Sequence, residues 1–306
     1  MDAHPDITVL TWNLFHGQDG ARLGPTAGSI FRRTPVDDGE RVHLNRKWID
    51  EMADVIRDQA PTIAALQEVP PQAAARLAER TGMRMTRSVM RPLIGPLRLR
   101  GWLADGNPDL WRTHEGTSNV VLSHPDWTPI GTWNIRHNPP LFVLREGRRL
   151  RPGCRERVHW LLEPRRMIGV RLRHRDGRTL TAVSLHCHNS LVWDVIATEV
   201  RRIIPLIERH LTPGEPVVVA GDLNSAGSRH PVLRAFLDAG FAEPTLDDLV
   251  LDHILSRNLE VVEPPAALGE SVRLVHGTVD GARRAVLLSD HDPVRAIYRF
   301  PPLTGV

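Results

Sequence analysis

The strongest constraint on this chain is a series of short apolar runs, each stopping on a polar or ionisable residue. Residues 7–12 end at Asn13, and residues 63–66 end at Gln67 and Glu68. Residues 179–185 end at His186, and residues 217–220 lead into Gly221, Asp222, Leu223 and Asn224. Runs this short and rich in Val, Ile and Thr read as buried strands, because a helix needs ten or more residues to bury a stripe. Residues 119–123, 167–172, 250–255, 285–288 and 294–298 read the same way, and Asp176-Gly177 between two of these runs predicts a hairpin.

Between the strands the apolar period changes. Trp48, Met52, Val55 and Ile56 predict a helix that Pro61 stops; Ala73, Leu77 and Ala78 predict another, closed by Gly82. Ile196, Ile203, Ile204 and Ile207 predict a third, capped by Asn189 or Ser190, and residues 232–239 a fourth, closed by Gly240. The alternation is not a regular β-α-β repeat. Two packed sheets with amphipathic helices outside satisfy it.

Length and composition set limits. The chain has 306 residues, 41% of them hydrophobic, and no linker divides it, so one domain over residues 1–306 is expected. Residues 17–42 and 86–165 show no period; the first reads as a surface loop, the second as a variable, loop-rich insertion holding Trp102, Trp111, Trp127, Trp133 and Trp160 as loop anchors. Cys154 and Cys187 lie far apart and read as reduced thiols. Residues 1–6 carry no leader pattern and no run is long enough to span a bilayer, so a cytoplasmic protein without a membrane partner is expected. Lys47 is the only lysine, and arginines cluster between Arg84 and Arg173. The cluster suits a phosphate-tracking surface as well as it suits a solvated face in an arginine-rich proteome.

The chemistry sits at the strand ends. Asn13, Glu68, His186, Asp222 with Asn224, and Asp290 with His291 each adjoin an apolar strand, and Asp252 lies within Leu251-Asp252-His253-Ile254-Leu255. One such residue is usually a turn former. Six strand ends of this kind call for another cause, because a carboxylate beside a buried strand must be paired or bind a cation. Oxygen donors suit a hard cation such as magnesium or manganese, and a histidine paired with an aspartate suits charge stabilisation at a phosphate.

Six motifs occur in a fixed order: Thr11-Trp12-Asn13, Leu66-Gln67-Glu68, Ser184-Leu185-His186, Gly221-Asp222-Leu223-Asn224, Leu251-Asp252-His253-Ile254 and Ser289-Asp290-His291-Asp292-Pro293. In that order they resemble the endonuclease/exonuclease/phosphatase superfamily, and Gly116-Thr117-Ser118-Asn119-Val120-Val121-Leu122-Ser123 resembles its Gly-x-Ala-Ile-Leu-Ser element. The resemblance implies an α/β (α+β) fold, a four-layered α/β/β/α sandwich with two mixed sheets face to face. It implies a metal-dependent hydrolase of phosphoester bonds using Mg2+ or Mn2+. Glu68 then resembles the principal metal ligand, with Asn13 and Asp290 shaping the metal site. Asp222 resembles the residue that orients or deprotonates water, held by Asn224. His291, oriented by Asp252, resembles the phosphate-binding partner, and His186 the second catalytic histidine.

Two departures narrow the branch. Abasic-site endonucleases of this superfamily carry a tyrosine where this chain has His186, and an acidic residue where it has Phe15; the one tyrosine here is Tyr298, in the last strand. A nuclease or phosphodiesterase acting on a phosphoester, nucleic acid among the candidates, is the leading expectation. A phosphomonoesterase on an inositol or sugar phosphate is the alternative. A non-catalytic binding module that keeps the fold is the reading from another class, and retention of every charged member of the set speaks against it. Asn189 is a candidate substrate contact or a helix cap. His16 and His43 read as surface or structural histidines that could touch substrate, and Cys187 and His253 as facing away from the site by strand alternation.

Overall fold

The computed structural model describes residues 6–20, 36–37, 41–90, 103, 105–111, 116–190, 192–226, 231–242, 250–279 and 281–302. Most of the 17–42 loop lies outside them. The first part of the chain holds β1 (Ile7–Asn13), β2 (Val36–Asp37), β3 (Val42–His43), α1 (Ile49–Asp58), β4 (Ile63–Val69), α2 (Ala73–Thr81) and β5 (Arg84–Val89). The middle holds α3 (Pro108–Trp111), β6 (Ser118–Ser123), β7 (Trp127–Arg136), α4 (Pro140–Leu150), α5 (Cys154–Leu162), β8 (Arg166–His174) and β9 (Thr179–His186). The last part holds α6 (Trp193–Glu208), β10 (Val217–Asp222), α7 (Pro231–Asp238), β11 (Asp252–Arg257), β12 (Glu260–Ala267), α8 (Glu270–Arg273), β13 (Leu274–Val279), β14 (Ala282–Leu287) and β15 (Val294–Arg299).

Two mixed sheets result, one in the order β12-β15-β1-β4-β6-β5 and one in the order β11-β10-β9-β8-β7. Each has a single parallel pair near its centre, β1 with β4 and β9 with β10. A parallel neighbour requires a crossover, supplied by α1 in the first sheet and α6 in the second. Parallel strands end at the same edge, so Asn13 and Gln67 lie side by side, as do His186 and Asp222.

Strand alternation sorts the apolar residues into three layers. Ile7, Val9, Ile63, Ala65, Ala182, Val218, Ala220 and Ile254 fill the space between the sheets. Leu10, Trp12, Ala64 and Leu66 face the other way and pack on Met52, Ile56 and Leu77 of α1 and α2. Val183, Leu185, Val217 and Val219 pack on Ile196, Val200, Ile203 and Phe236 of α6 and α7. Three apolar seams between four layers are the expected α/β/β/α sandwich. Burial of each such aliphatic side chain contributes roughly 1.5–3 kcal/mol.

The inner-face parity continues past the apolar residues. Thr11 and Asn13 on β1, Gln67 on β4, Ser184 and His186 on β9, Asp222 on β10 and Asp252 on β11 follow the same alternation and are buried. Thr11, Gln67 and Ser184 form a polar rung between the sheets: Gln67 Nε2 donates to the Ser184 hydroxyl at 3.1 Å, and that hydroxyl donates to Leu66 O at 3.2 Å. The inter-sheet core thus grades from apolar to hydrogen-bonded to ionisable along its length.

The region expected to be loop-rich is more regular than the sequence suggests. Beyond residue 115 it holds β6, β7, α4 and α5. Trp127 is buried between the sheets, Trp160 is fully buried against Phe142 and Val195, and Trp133 stacks on His210. These three belong to strands or a helix rather than to loops. The α6 boundary also differs: its N-cap is Val192, not Asn189 or Ser190. The Ser190 hydroxyl instead accepts from Val192 N at 3.0 Å, closing a turn ahead of the helix. Asp252 opens β11 rather than lying inside it.

Candidate functional site

His186, Asp222 and Asp252 form one transverse row, since Asp222 pairs in register with His186 on one side and Asp252 on the other. Gly221 lets the row form. Its φ is +151°, and a Cβ there would stand 1.9 Å from Leu185 O. The facing sheet contributes Asn13, whose Nδ2 donates to Asp222 Oδ2 at 3.0 Å across the sandwich. Asn13 Oδ1 accepts from Phe15 N at 3.0 Å, so the amide is held at both ends.

His291 closes the row from above. Its Nδ1 lies 2.5 Å from Asp252 Oδ2, and its Nε2 lies 3.9 Å from Asp222 Oδ2. The loop bearing it is tied to β1: the Ser289 hydroxyl donates to Asn13 O at 2.6 Å and accepts from His291 N at 3.1 Å, and Trp12 Nε1 donates to His291 O at 2.8 Å. Asp292, to which the sequence assigns no role, accepts from buried Arg273 Nε at 2.6 Å, and Arg273 Nη1 also donates to Ser289 O. Asp292 therefore clamps the loop.

Glu68 sits at the end of β4 with Oε1 3.9 Å from His186 Nε2 and Oε2 3.3 Å from His16 Nε2. Asp290 stands at the rim, its Oδ1 3.8 Å from His291 Nε2. Asn224 donates from Nδ2 to Cys187 O at 3.0 Å, and its backbone N–H donates to Asp222 Oδ1 at 2.8 Å. Glu68, Asn224, Ser289, Phe15 and His16 all have φ between +45° and +57°. Side chains other than glycine rarely adopt that conformation, and its concentration around one site marks stored strain.

Burial and neighbouring charge set the protonation states. Burial raises the Asp222 carboxyl; the His291 charge opposes the rise and Asp252 reinforces it. Burial alone would depress His291, but Asp252, Asp222 and Asp290 outweigh it and hold the imidazole cationic, well above its ordinary range. Burial, then Arg165 and His291, push His186 well below its ordinary range, so its ring is neutral. Its Nε2 approaches Asp222 Oδ2 at 3.3 Å. Two histidines of opposite charge state flank one carboxylate.

Of the residues singled out in the sequence, Asn13, Glu68, His186, Asp222, Asn224, Asp252, Asp290 and His291 converge here. Asn189 is exposed and caps no helix. Cys187 is buried in the outer seam and His253 turns away, its Nε2 2.6 Å from Ser225 O. Sequence reasoning placed one residue too far from the site and missed another. His16, read as more surface than site, contacts Glu68. Arg165 is buried, pairs with Glu163 at 3.0 Å and acts electrostatically on His186; nothing distinguishes it in sequence from the arginines around it. His43 is structural: its Nδ1 is 2.6 Å from Asp19 Oδ1 and its Nε2 3.0 Å from Asp109 Oδ2.

The sequence matches the profile of the Endonuclease/Exonuclease/phosphatase family over residues 10–291. No curated protein matches by sequence. Solved structures match along almost the whole chain. An endonuclease/exonuclease/phosphatase family protein from Bacteroides thetaiotaomicron aligns with a TM-score of 0.62 at 14% identity, covering 98% of this chain and 99% of that one. A mannosyl-6-phosphatase of the same organism gives 0.60 at 14% identity, covering 96% and 100%. Sphingomyelinase C from Streptomyces griseocarneus gives 0.57 at 18% identity, covering 96% and 99%. At these identities the structures establish the shared fold, and the family profile, spanning every strand end described above, establishes the lineage. The chain belongs to the Endonuclease/Exonuclease/phosphatase family of phosphoester hydrolases.

Proposed function

We propose that the protein is a divalent-metal-dependent phosphodiesterase of nuclease type, in which water attacks phosphorus in line with the leaving oxygen. The observation that carries this reading is the row of His186, Asp222 and Asp252 with His291 set against it. Asp222 accepts the proton of the attacking water; a carboxylate whose affinity for protons is raised by burial is a better base near neutrality than an exposed one. Asn13 and the Asn224 backbone fix its two oxygens, so the lone pair used for proton transfer has a set direction. His291, cationic and oriented by Asp252, donates from Nε2 to a phosphoryl oxygen as negative charge grows there. His186, neutral, donates a hydrogen bond without adding charge. Loss of one such contact typically costs on the order of a hundredfold or more in rate.

The residues present fit a hard cation. Burial raises the Asp290 carboxyl, His291 opposes the rise, and the Glu68 and Asp252 charges add to it. A cation between two mutually repelling carboxylates relieves that repulsion, and an all-oxygen donor set suits magnesium or manganese. Glu68 and Asp290 would hold it, with Asn13 shaping the site. When bound, the ion neutralises charge on the phosphoryl and leaving oxygens.

A polyanionic substrate is supported by Arg148, Arg151, Arg155 and Arg157 on and beside α4 and α5. They are exposed and make no ion pair among the described residues. Other arginines of the cluster are spent on carboxylates: Arg145 and Arg149 pair with Glu146, and Arg171 pairs with Glu215. Helix α5 approaches His188, two residues past His186, so this basic surface borders the catalytic end of β9. A second reading, a phosphomonoesterase on a sugar or inositol phosphate, is favoured by the full-length likeness to a mannosyl-6-phosphatase. Assay of the purified protein with magnesium or manganese on plasmid DNA, single-stranded RNA, an aryl phosphate diester and an aryl phosphate monoester separates them. Turnover of diesters is the expected result; turnover of monoesters alone refutes the nuclease reading.

A further inference from the structure

A second group of metal-competent side chains lies outside the catalytic row. His159 lies in the last turn of α5 and Glu163, four residues on, is its C-cap, with their Nε2 and Oε2 3.1 Å apart. His188, on the segment leaving β9, points into the same place, its Nδ1 4.0 Å from Glu163 Oε2. One donor atom from each of the three falls within 4.8 Å of every other. Ligands bonded to one ion at about 2.0–2.2 Å stand roughly 3–4 Å apart, so closing onto an ion needs only a small side-chain movement.

His188 is the second, independent sign. It is fully buried, yet neither ring nitrogen makes a hydrogen bond, and Glu156 Oε1 beside it is also buried and unbonded. Buried polar atoms are seldom left this way without an ion or water to satisfy them. Their arrangement matches a ligating histidine: Nε2 is 3.3 Å from Glu156 Oε1, while Nδ1 faces Glu163. A metal-bound imidazole commonly gives its other ring N–H to a carboxylate, which fixes tautomer and ring plane. The site is reachable, since a surface groove of about 720 Å³ is lined by Glu156, His159, Leu162 and Glu163. It also lies at a helix C-terminus, where the backbone dipole favours a cation.

We propose that His159, Glu163 and His188 bind a borderline divalent transition metal of the zinc class, at a site distinct from the oxygen-rich Glu68–Asp290 pair. Two imidazoles and one carboxylate prefer zinc or cobalt to magnesium. Arg165 donates to the same Glu163 oxygen that faces His159, so the ion and this guanidinium compete for Glu163.

Titration of zinc into the full chain by calorimetry, with millimolar magnesium present throughout, tests this. One zinc site is expected in the wild type, weakened at least tenfold in His159→Gln and in Glu163→Gln, and unchanged in Glu68→Gln. His159 is half exposed, so its replacement leaves the fold intact; circular dichroism and the unfolding midpoint check each variant. Absence of a zinc site in the wild type overturns the proposal, as does a zinc site that survives in a folded His159→Gln. Loss of zinc binding in Glu68→Gln also overturns it, by placing the ion in the catalytic pocket.

Discussion

Replacing Asp252 with asparagine removes one negative charge from the catalytic row with almost no change in shape. Asp252 is buried, lies 2.5 Å from His291 Nδ1 and stands in register with Asp222. Its charge raises both neighbours' affinity for protons, at Asp222 by repulsion and at His291 by attraction. Two unit charges about 5 Å apart at an effective dielectric of about 20 interact by about 3 kcal/mol, or about two pH units, and partial compensation leaves about one to two. In the proposed mechanism the acid limb of the pH–rate profile reports Asp222, ionised to act as base, and the alkaline limb reports His291, protonated to bind the phosphoryl oxygen. In Asp252→Asn both limbs therefore move to lower pH by about one to two units, so the whole bell shifts. Loss of the charge-assisted hydrogen bond to His291, worth about 1.5–3 kcal/mol, lowers the maximum by about 10- to 150-fold. The measurement is kcat/KM on an aryl phosphate diester at saturating magnesium between pH 4 and 10. A general folding defect lowers the curve without moving it. A bell of reduced height in its original position refutes the electrostatic roles given to Asp222 and His291.

Three further outcomes follow from particular contacts. His43, between Asp19 and Asp109, is raised from 6.5 to about 10 against the effect of its own burial, so its stabilisation is complete below about pH 6.5 and fades as pH rises through about 10. After screening at a partly accessible ring, His43→Gln costs about 2 kcal/mol in urea unfolding at pH 6, and a penalty that stays constant to pH 10.5 contradicts the ion-pair account. Gly221→Ala places a Cβ 1.9 Å from Leu185 O at a φ of +151°, and costs about 3 kcal/mol or more; wild-type stability in that variant refutes the close approach of β9 and β10. Arg155→Glu combined with Arg157→Glu raises KM on a polynucleotide about tenfold at low salt and flattens its salt dependence, with kcat on a small diester unchanged; an unaltered salt slope removes this surface from the substrate path.

The legible part of the fold is the part buried on both faces. β1, β4, β9 and β10 sit at or next to the centres of their sheets and read as short, largely apolar runs. β5, β7 and β12 are edge strands, and an edge admits what a centre rejects: Arg84 and Arg87 in β5, Pro129 and Gly131 in β7, Pro264 and Pro265 in β12. Their sequences resemble loops because the pairing that makes them strands comes from a neighbour on one side. Helix α4 buries Glu146 and Gly147 beside Phe142 and Val143, and α5 has only Trp160 buried, so neither reads as an apolar stripe in sequence. The site was legible for a related reason. An ionisable residue at the end of an apolar run is conspicuous, and Asn13, His186, Asp222 and Asp252 each occupy such a place. Arg165 stands just ahead of the run beginning at Met167 and His16 three residues past Asn13, off the strand ends themselves, and only the packed chain shows where their side chains go.

The bond from Asn13 to Asp222 joins two half-sites, because Asn13 and Glu68 ride on one sheet while His186, Asp222 and Asp252 ride on the other. On the proposed mechanism neither sheet holds a working centre alone. Activity is therefore a gauge of how the two sheets are registered: a slip of about 1 Å between them, too small to expose the apolar seam, is enough to cost about a hundredfold in rate. Mild denaturant or heat should extinguish turnover before the tryptophan signal of the core changes, with a recoverable, folded and inactive form in between.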